Sequence, residues 1–224
     1  MSTAIQYQGR KARRAGSEQR RRAILEAALR LIVREGVRSV RHRAVASEAD
    51  VPLSATTYYF KDITDLIADA FTLFAEQAME EVIGPFRDQA FALIDSAPAL
   101  ETGTAANRAG LLDTLTDMTT AYVLGEANTK RDHLIAERAF LHEAMLDDRL
   151  RSLADLYKRS QLEVLERACE KLGTSSPVLD AELMYCGLLH LEYELLAFPD
   201  QYDQAAVRQR VQYLLGLLIK PVQG

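Results

Sequence analysis

The chain has 224 residues, of which 48% are hydrophobic and 26% are charged, a composition typical of folded globular proteins. No apolar run approaches the roughly 20 residues that a membrane-spanning helix needs, so no membrane partner is expected. The basic N-terminus is not followed by an apolar segment, and two cysteines stand singly within helical patterns. We therefore expect a cytoplasmic protein with reduced thiols and no signal peptide.

The net charge of −5 is divided unevenly along the chain. Residues 1–61 carry 13 Lys and Arg against 5 Asp and Glu, a net of +8, which leaves a net of −13 for residues 62–224. A basic first part on an acidic body is typical of a protein that meets a polyanion at one end only. Chance clustering of solvated charges is the alternative.

The first 16 residues contain four cations and no acidic residue, which predicts a flexible basic arm. This arm could lie against DNA phosphates, or it could be a disordered solubilising tail. A first helix is predicted from an N-cap at Ser17 to Gly36, with a buried stripe formed by Ile24, Ala28, Leu31 and Ile32. Arginines at positions 20, 21 and 22 crowd the positive end of this helix, which favours a phosphate contact.

Two short helices are predicted next, one over about 40–49 and one within the stretch 51–61, with a turn at Asp50-Val51 between them. Pro52 suits the first turn of the second of these helices, and Asp50 tolerates the left-handed turn conformation less readily than glycine does. The second short helix is rich in hydroxyl groups that can face bases and phosphates. Two short helices joined by such a turn predict a helix-turn-helix unit.

The remaining sequence predicts helices only. A fourth helix is expected over 63–83, with Asp62 as its N-cap, an approximate capping box with Asp65, and an end at Gly84-Pro85. Further helices are expected near 86–97, 105–124, 130–146, 148–172, 177–198 and 202–219, with breaks at 98–103 and 125–129 among others. No period-two apolar pattern is long enough for a sheet, so the predicted fold class is all-α.

The first 70 residues resemble the DNA-binding domain of the tetracycline-repressor (TetR) family. The resemblance is carried by Ile24-Leu25-Glu26-Ala27-Ala28, Gly36-Val37, Arg43-Ala44-Val45-Ala46, Ala49-Asp50-Val51 and Thr56-Thr57-Tyr58-Tyr59-Phe60-Lys61 followed by Asp65-Leu66. The chain has Asp50 where glycine is commonest in the family, and Arg41 where a Ser or Thr cap is commonest. Ser39 could supply that cap instead.

The resemblance implies a basic arm over 1–16, a helix-turn-helix DNA-binding domain over 17–62, and a helical ligand-binding and dimerisation domain over 63–224. It also implies a homodimer that binds a palindromic operator in double-stranded DNA. Contacts to bases or phosphates are predicted, by position in the family's motif, for Arg41, His42, Arg43, Ser54, Ala55, Thr56, Thr57, Tyr58, Tyr59 and Lys61.

The second domain is expected to bind a small-molecule effector whose identity the sequence does not give. Its predicted pocket residues are Met118, Tyr122, Arg138, His142 and Tyr157. Arg138 could pair with an anionic ligand, or with Glu137 or Asp117 inside the protein.

The last two helices are apolar on more than one side, which predicts an intersubunit four-helix bundle. The predicted interface residues are Leu183, Gly187, His190, Leu191, Glu194, Val211, Leu214 and Leu218. Packing in the core of a monomer is the alternative.

No glycine-rich phosphate loop, Ser-His-Asp order or cofactor fingerprint occurs, so no catalytic residue and no cofactor are predicted. The pairs His133/Glu137 and His190/Glu194 have the spacing of metal ligands but lack a third ligand nearby, so no metal site is predicted. The predicted function is that of a ligand-responsive repressor. The alternatives are a ligand-independent DNA-binding protein and a helical enzyme that uses His142 with Glu137 or Glu143.

Overall fold

The computed structural model describes residues 7–9, 15–97 and 104–219. Every regular element in these ranges is helical, as predicted: α1 (Ala15–Glu35), α2 (His42–Glu48), α3 (Leu53–Tyr59), α4 (Ile63–Gln77), α5 (Gly84–Ser96), α6 (Ala105–Thr129), α7 (Arg131–Glu143), α8 (Asp148–Lys171), α9 (Pro177–Ala197) and α10 (Gln204–Leu218). Short 3-10 turns lie at Val37–Ser39 and Pro199–Gln201. None of the helices in the described ranges combines the length and the apolar character that crossing a membrane requires.

The chain divides into two compact units. The first contains Met1–Met79 and Ile135–Lys158, and the second contains Glu80–Leu134 and Arg159–Gly224. In the first unit, α1 packs against α2 and α4, and α2 packs against α3. In the second, α6 packs against α5, α9 and α10. The predicted bounds of 17–62 and 63–224 concern functional domains and stay a prediction, and the basic arm predicted over 1–16 lies mostly outside the described residues.

The apolar stripe predicted for α1 is confirmed, since all four of its residues are buried. Val45 from α2, Phe60 at the end of α3 and Leu66 from α4 are also buried in this unit. The second unit has its own apolar cluster, to which α6, α9 and α10 contribute most of the buried side chains. The helix-turn-helix segment is therefore part of a packed unit that includes α1 and α4.

The start of α4 is capped as predicted. The Asp62 carboxylate accepts a hydrogen bond from the backbone N–H of Thr64 at 3.0 Å, and this bond is the main reason that the pKa of Asp62 is lowered. The predicted capping box is not formed, because the Asp65 carboxylate instead accepts a hydrogen bond from Arg149 at 3.1 Å.

The helix end predicted at Gly84-Pro85 is wrong. The chain stays helical beyond α4 through a wider π-helical turn, Ala78–Ile83, and enters α5 directly. Pro85 lies in the first turn of α5. A wide turn just before it gives room for the proline ring, which would clash in a regular helix interior.

The break predicted between Gly125 and Thr129 is also wrong, because α6 continues through these residues. Glu126 and Ala127 are buried, and this burial outweighs the cost of about 1 kcal/mol that a glycine adds to a helix.

Near the start of the chain, α1 already includes Ala15, so Ser17 is not its N-cap. The break predicted at 98–103 lies outside the described residues.

Asp50 adopts the left-handed conformation that its turn position predicted. Its φ is 51°, and it is the one non-glycine residue with a positive φ in the described part of the chain. We expect Asp50→Gly to raise the free energy of unfolding by about 1 kcal/mol, because glycine adopts this conformation without a steric cost. Ser47→Gly, at an exposed position inside α2, should lower it by about 0.5–1 kcal/mol. Urea unfolding measures both, and a lower stability of Asp50→Gly would contradict the account.

Candidate DNA-binding interface

Helix α3 has one face in the protein and the opposite face in solvent. Thr56, Tyr59 and Phe60 are 0%, 6% and 0% exposed, and they follow each other at helical spacing. Ser54, Thr57 and Tyr58 are exposed on the other side, Tyr58 to 53%. A short helix with an exposed polar face is what the major groove of B-DNA can admit.

The exposed positions carry groups suited to DNA. The Thr57 hydroxyl makes only long bonds, of 3.3 and 3.4 Å, to carbonyl groups of its own helix, and a base edge can replace them. Lys61 is exposed just beyond the end of α3, whereas Ala55 is half-buried. Ser and Thr hydroxyls can bond to any base, and a lysine offers a point charge to phosphate. Their contacts with DNA stay a prediction.

Two of the predicted DNA contacts, Thr56 and Tyr59, do not fit the structure. The buried Thr56 hydroxyl donates to the carbonyl of Leu53 at 2.9 Å. The Tyr59 hydroxyl forms a 2.8 Å hydrogen bond with the hydroxyl of Ser17 in α1, and its ring is buried. Thr56 and Tyr59 lie on the inward face of α3, so their side chains hold the helix in place and do not face DNA.

The start of α2 presents two of the predicted cations. Arg41 and Arg43 are exposed, and His42 is half-buried. Arg41 occupies the N-cap position without a side-chain cap bond. Ser39 does not replace it, because Ser39 lies two residues before the N-cap position and its hydroxyl donates to the carbonyl of Gly36 at 2.7 Å, so that expectation was wrong. Since α2 packs against α3, two exposed cations here suit the phosphates beside the groove.

Ion pairs fix α2 to α1. The Glu48 carboxylate accepts hydrogen bonds from Arg30 at 2.8 Å and from Arg34 at 3.1 Å. These two bonds lower the pKa of Glu48, the one from Arg30 contributing most. The arginines are more than half exposed, so these pairs set the position of α2 and contribute little to stability.

A buried ion pair joins α1 to α4, and the sequence reasoning missed it. Arg21 is 4% exposed and donates to the Asp69 carboxylate, which is 0% exposed. Arg22 pairs with Glu26 at 3.0 Å. The phosphate contact expected of the three arginines therefore does not fit Arg21, because its guanidinium pairs with Asp69 in the protein interior.

The positions of Arg21 and Asp69 relative to the apolar residues of their own helices could have revealed this pair. Arg21 lies three residues before Ile24, and Asp69 lies three residues after Leu66, so each charge falls on the buried face of its helix. Two opposite charges on buried faces of neighbouring helices predict a buried ion pair, because an unpaired charge there would be strongly destabilising.

The predicted pocket residues are not brought together within one unit. Arg138, His142 and Tyr157 belong to the first unit, and Met118 and Tyr122 belong to the second. His142 is exposed. The spacing that suggested these residues shows which share a helix face, but it does not show which helices meet.

Tyr157 is a core residue of the first unit. It is fully buried, its hydroxyl donates to Glu137 at 2.9 Å, and its ring packs edge-on against Phe71 and Phe74. In the second unit, Tyr122 packs against Phe86 with 4.3 Å between ring centroids, and Met118 lies against the apolar cluster. The predicted ligand contact does not fit Tyr157, which has no surface to offer, and it stays a prediction for Met118 and Tyr122.

The predicted interface residues fall into two groups. Leu191, Val211 and Leu218 are buried in the cluster of their own unit, so they do not fit an intersubunit contact. Gly187 faces Leu214, and a Cβ atom at position 187 would lie 2.9 Å from a methyl carbon of that leucine. These residues pack α9 against α10 within one chain.

The other predicted interface residues lie at the surface. Leu183 and His190 are exposed, and Glu194 is half-buried and accepts a hydrogen bond from Tyr202 at 2.8 Å. That bond is the main reason that the pKa of Tyr202 is raised. These positions remain predicted interface residues.

An exposed apolar surface covers parts of α9 and α10 and the turn between them, and we call it the α9–α10 surface. Its large side chains, which are 43–73% exposed, are Val178, Leu179, Leu183, Tyr193, Phe198, Tyr213 and Leu217. A cleft of about 320 Å³ on the same two helices is lined by His190, Arg210 and Tyr213 among others. Only Leu183 of the seven was predicted, because an apolar residue on a two-sided helix gives no sign of which side it faces.

No group of three His, Cys, Asp or Glu side chains that could hold a metal ion occurs within 7–9, 15–97 and 104–219. In the enzyme alternative, His142 and Glu137 do not share a site, because Glu137 is buried against Tyr157 whereas His142 is exposed. The pairing of His142 with Glu143 stays an alternative. Three helices with an outward polar third helix, followed by further helices, define a helix-turn-helix DNA-binding regulator.

Comparison with known proteins agrees with this class. The family model described as bacterial regulatory proteins, tetR family, matches residues 24–70, which run from α1 into α4. This match confirms the predicted resemblance to the TetR family over residues 24–70. No curated protein matches the chain.

Solved structures share the fold over most of the chain. A TetR-family member from Streptomyces coelicolor A3 is 21% identical with a TM-score of 0.59, covering 88% of this chain and 98% of its own. A transcriptional regulator from Saccharomonospora viridis in complex with choline is 19% identical with a TM-score of 0.65, covering 88% and 96%. The multidrug binding protein EbrR complexed with proflavin is 25% identical with a TM-score of 0.54, covering 87% and 99%.

Proposed function

We propose that this chain is a ligand-responsive repressor that binds a palindromic operator as a homodimer and leaves it when a small-molecule effector binds. The observation that carries the proposal is the two-sided α3, whose inner face is fixed to α1 while Ser54, Thr57 and Tyr58 face solvent. A cytoplasmic location belongs to the same proposal, because the operator is reached there.

The operator is the part of the proposal that can be tested first. A gel-shift assay with the DNA that flanks the protein's own gene should show a complex that survives an excess of unrelated competitor DNA. Phosphate contacts alone would bind all sequences alike, whereas contacts of the α3 face with base edges discriminate between them. A shift that unrelated DNA removes equally well would contradict operator recognition.

Ligand response is supported by two similar proteins, one solved with choline and the other with proflavin. An effector can release the operator only if it binds the released state more tightly than the bound one. Two recognition helices must lie about 34 Å apart to reach successive major grooves, so a shift of several ångströms would remove most specific contacts. A thermal-shift screen of small metabolites, followed by gel shifts with each stabilising compound, tests this step. A complete absence of stabilising compounds would favour a ligand-independent DNA-binding protein.

The α9–α10 surface supports the homodimer. Seven large apolar side chains are exposed on α9, on α10 and in the turn between them, and large exposed apolar areas on folded proteins mark interaction sites. The occupant that we propose is a second copy of the chain, because a palindromic operator requires two recognition helices related by a twofold axis. Two helices from each subunit would then form a four-helix bundle.

Leu183→Glu is expected to weaken the dimer by about tenfold or more, because it would bury a charge at an apolar interface on both subunits. Leu183 is 60% exposed, and Met145, which is 65% exposed in the turn after α7, offers a matched control as Met145→Glu. Sedimentation equilibrium measures both dissociation constants. Equal dissociation constants for the two variants would exclude the α9–α10 surface as the interface.

A further inference from the structure

The first described residues of the chain are tied to α4. The backbone N–H groups of Gln8 and Gly9 donate to the two carboxylate oxygens of Asp69, the second at 2.8 Å. The hydroxyl of Tyr7 donates to Glu76, which lies about two helix turns further along α4 than Asp69. Residues 7–9, which we call the strap, are therefore fixed at both ends by side chains of a single helix.

The strap also lies against the end of the recognition helix. A Cβ atom placed on Gly9 would lie 2.6 Å from a ring carbon of Phe60 and 2.8 Å from an oxygen of Asp69. Contacts this short do not occur for real Cβ atoms, so only glycine allows the strap to pass between these groups. Phe60 is the residue that ends α3, and it is fully buried.

Arg21 connects the strap to the same place. Its guanidinium carbon lies 4.4 Å from the centre of the Tyr7 ring and 5.5 Å from the centre of the Phe60 ring, within the range of cation–π contacts. The same guanidinium donates to Asp69. The strap, α1, α4 and the end of α3 thus meet at one carboxylate and one arginine.

We infer that the strap, through Gly9 and Tyr7, positions the end of the recognition helix for specific DNA binding. This inference rests on the proposed function. Base edges are read by side chains held at a fixed register, whereas phosphate attraction tolerates a looser helix. A loosened Phe60 therefore lowers affinity for the operator and leaves affinity for unrelated DNA unchanged. Gly9 and Tyr7 are positioning residues, because they act on base recognition through Phe60 and Asp69.

The sharpest test compares two Gly→Ala variants of the full chain. Gly9→Ala puts a methyl group into the Phe60 ring, whereas a Cβ atom on Gly16 meets nothing within 4 Å. Gly9→Ala should weaken operator binding roughly three- to tenfold, as expected when a recognition group is left loosely held, with unrelated DNA bound as before. Tyr7→Phe, which removes only the bond to Glu76, should produce a smaller loss in the same direction. Fluorescence anisotropy at fixed salt measures each affinity.

Three outcomes would overturn the inference. The first is that Gly9→Ala and Gly16→Ala bind the operator with equal affinity. The second is that Gly9→Ala loses as much affinity for unrelated DNA as for the operator. The third is that the backbone amides of the strap are not protected from hydrogen exchange. The last is measured by native-state hydrogen exchange without DNA, where the amides of Gln8 and Gly9 should be protected and those of α3 should exchange faster in Gly9→Ala. If the wild-type protein shows no operator preference, the proposed function fails, and the exchange experiment still tests the strap by itself.

Discussion

Asp69→Ala is expected to destabilise the first unit by about 3–5 kcal/mol, because it leaves the buried charge of Arg21 with only a long 3.5 Å contact to the exposed Glu18. Asp69 and Arg21 are 0% and 4% exposed, so the arginine is held away from bulk water when its acidic partner is removed. The change also removes the acceptor of the strap amides. Urea unfolding gives the total loss, and hydrogen exchange at the amides of α1 reports on this unit alone, since a chain of two units need not unfold in one step.

Two further variants separate the buried pair from an ordinary loss of charge. Asp65→Ala breaks the ion pair with Arg149, in which Asp65 is 29% exposed and Arg149 is 62% exposed. This variant should lower the free energy of unfolding by less than about 1 kcal/mol. Arg21→Met combined with Asp69→Ala should recover part of the loss, because no lone charge then remains buried. A loss for Asp69→Ala no larger than that for Asp65→Ala would show that the buried pair does not hold α1 to α4.

Thr57→Val is expected to weaken operator binding by about 1–3 kcal/mol, roughly five- to 150-fold, because a neutral hydrogen bond to a base is worth about 0.5–1.5 kcal/mol and each operator binds two copies of α3. The valine keeps the shape of threonine but removes the hydroxyl. Affinity for unrelated DNA should change little, since that binding comes from phosphate contacts.

The neighbouring residue provides the control. Thr56→Val is the same substitution one position earlier, where the side chain is fully buried and its hydroxyl donates to Leu53. Thr56→Val should lower the free energy of unfolding by about 1 kcal/mol, because the hydrogen bond to Leu53 is lost. It should leave the preference for the operator over unrelated DNA intact. Anisotropy titrations with operator and unrelated duplexes measure both variants. The outward face of α3 would lose its assigned role if the two variants reduced operator preference equally.

Local rules succeeded where one residue and its neighbours decide the structure. Asp62 was recognised as an N-cap because its carboxylate needs only the backbone two residues away, and Asp50 was recognised in a left-handed turn for a similar reason. The same rules were wrong at Gly125, where a local helix breaker lies beside the buried Glu126. Tertiary burial there decides the outcome, and no local pattern contains it.

The sequence identified the segment that forms the candidate site, but it did not show which side chains of that segment point outward. The motif identified α3, yet it assigned DNA contacts to Thr56 and Thr57 alike, although adjacent helical residues point about 100° apart. Only the packing of Phe60 and Tyr59 shows which threonine faces outward. The ligand pocket was the least predictable part, because the pairing of distant helices determines which side chains converge, as Tyr157 demonstrates.

The most direct test of the central claim, that the exposed face of α3 reads DNA sequence, is selection of binding sites from a random duplex library by the wild-type protein. Sequencing of the bound DNA should recover an inverted repeat whose half-sites are centred about 34 Å apart, one helical turn or a multiple of it. Recovery of no common motif after repeated rounds, with DNA retained only in proportion to its charge, would contradict the claim.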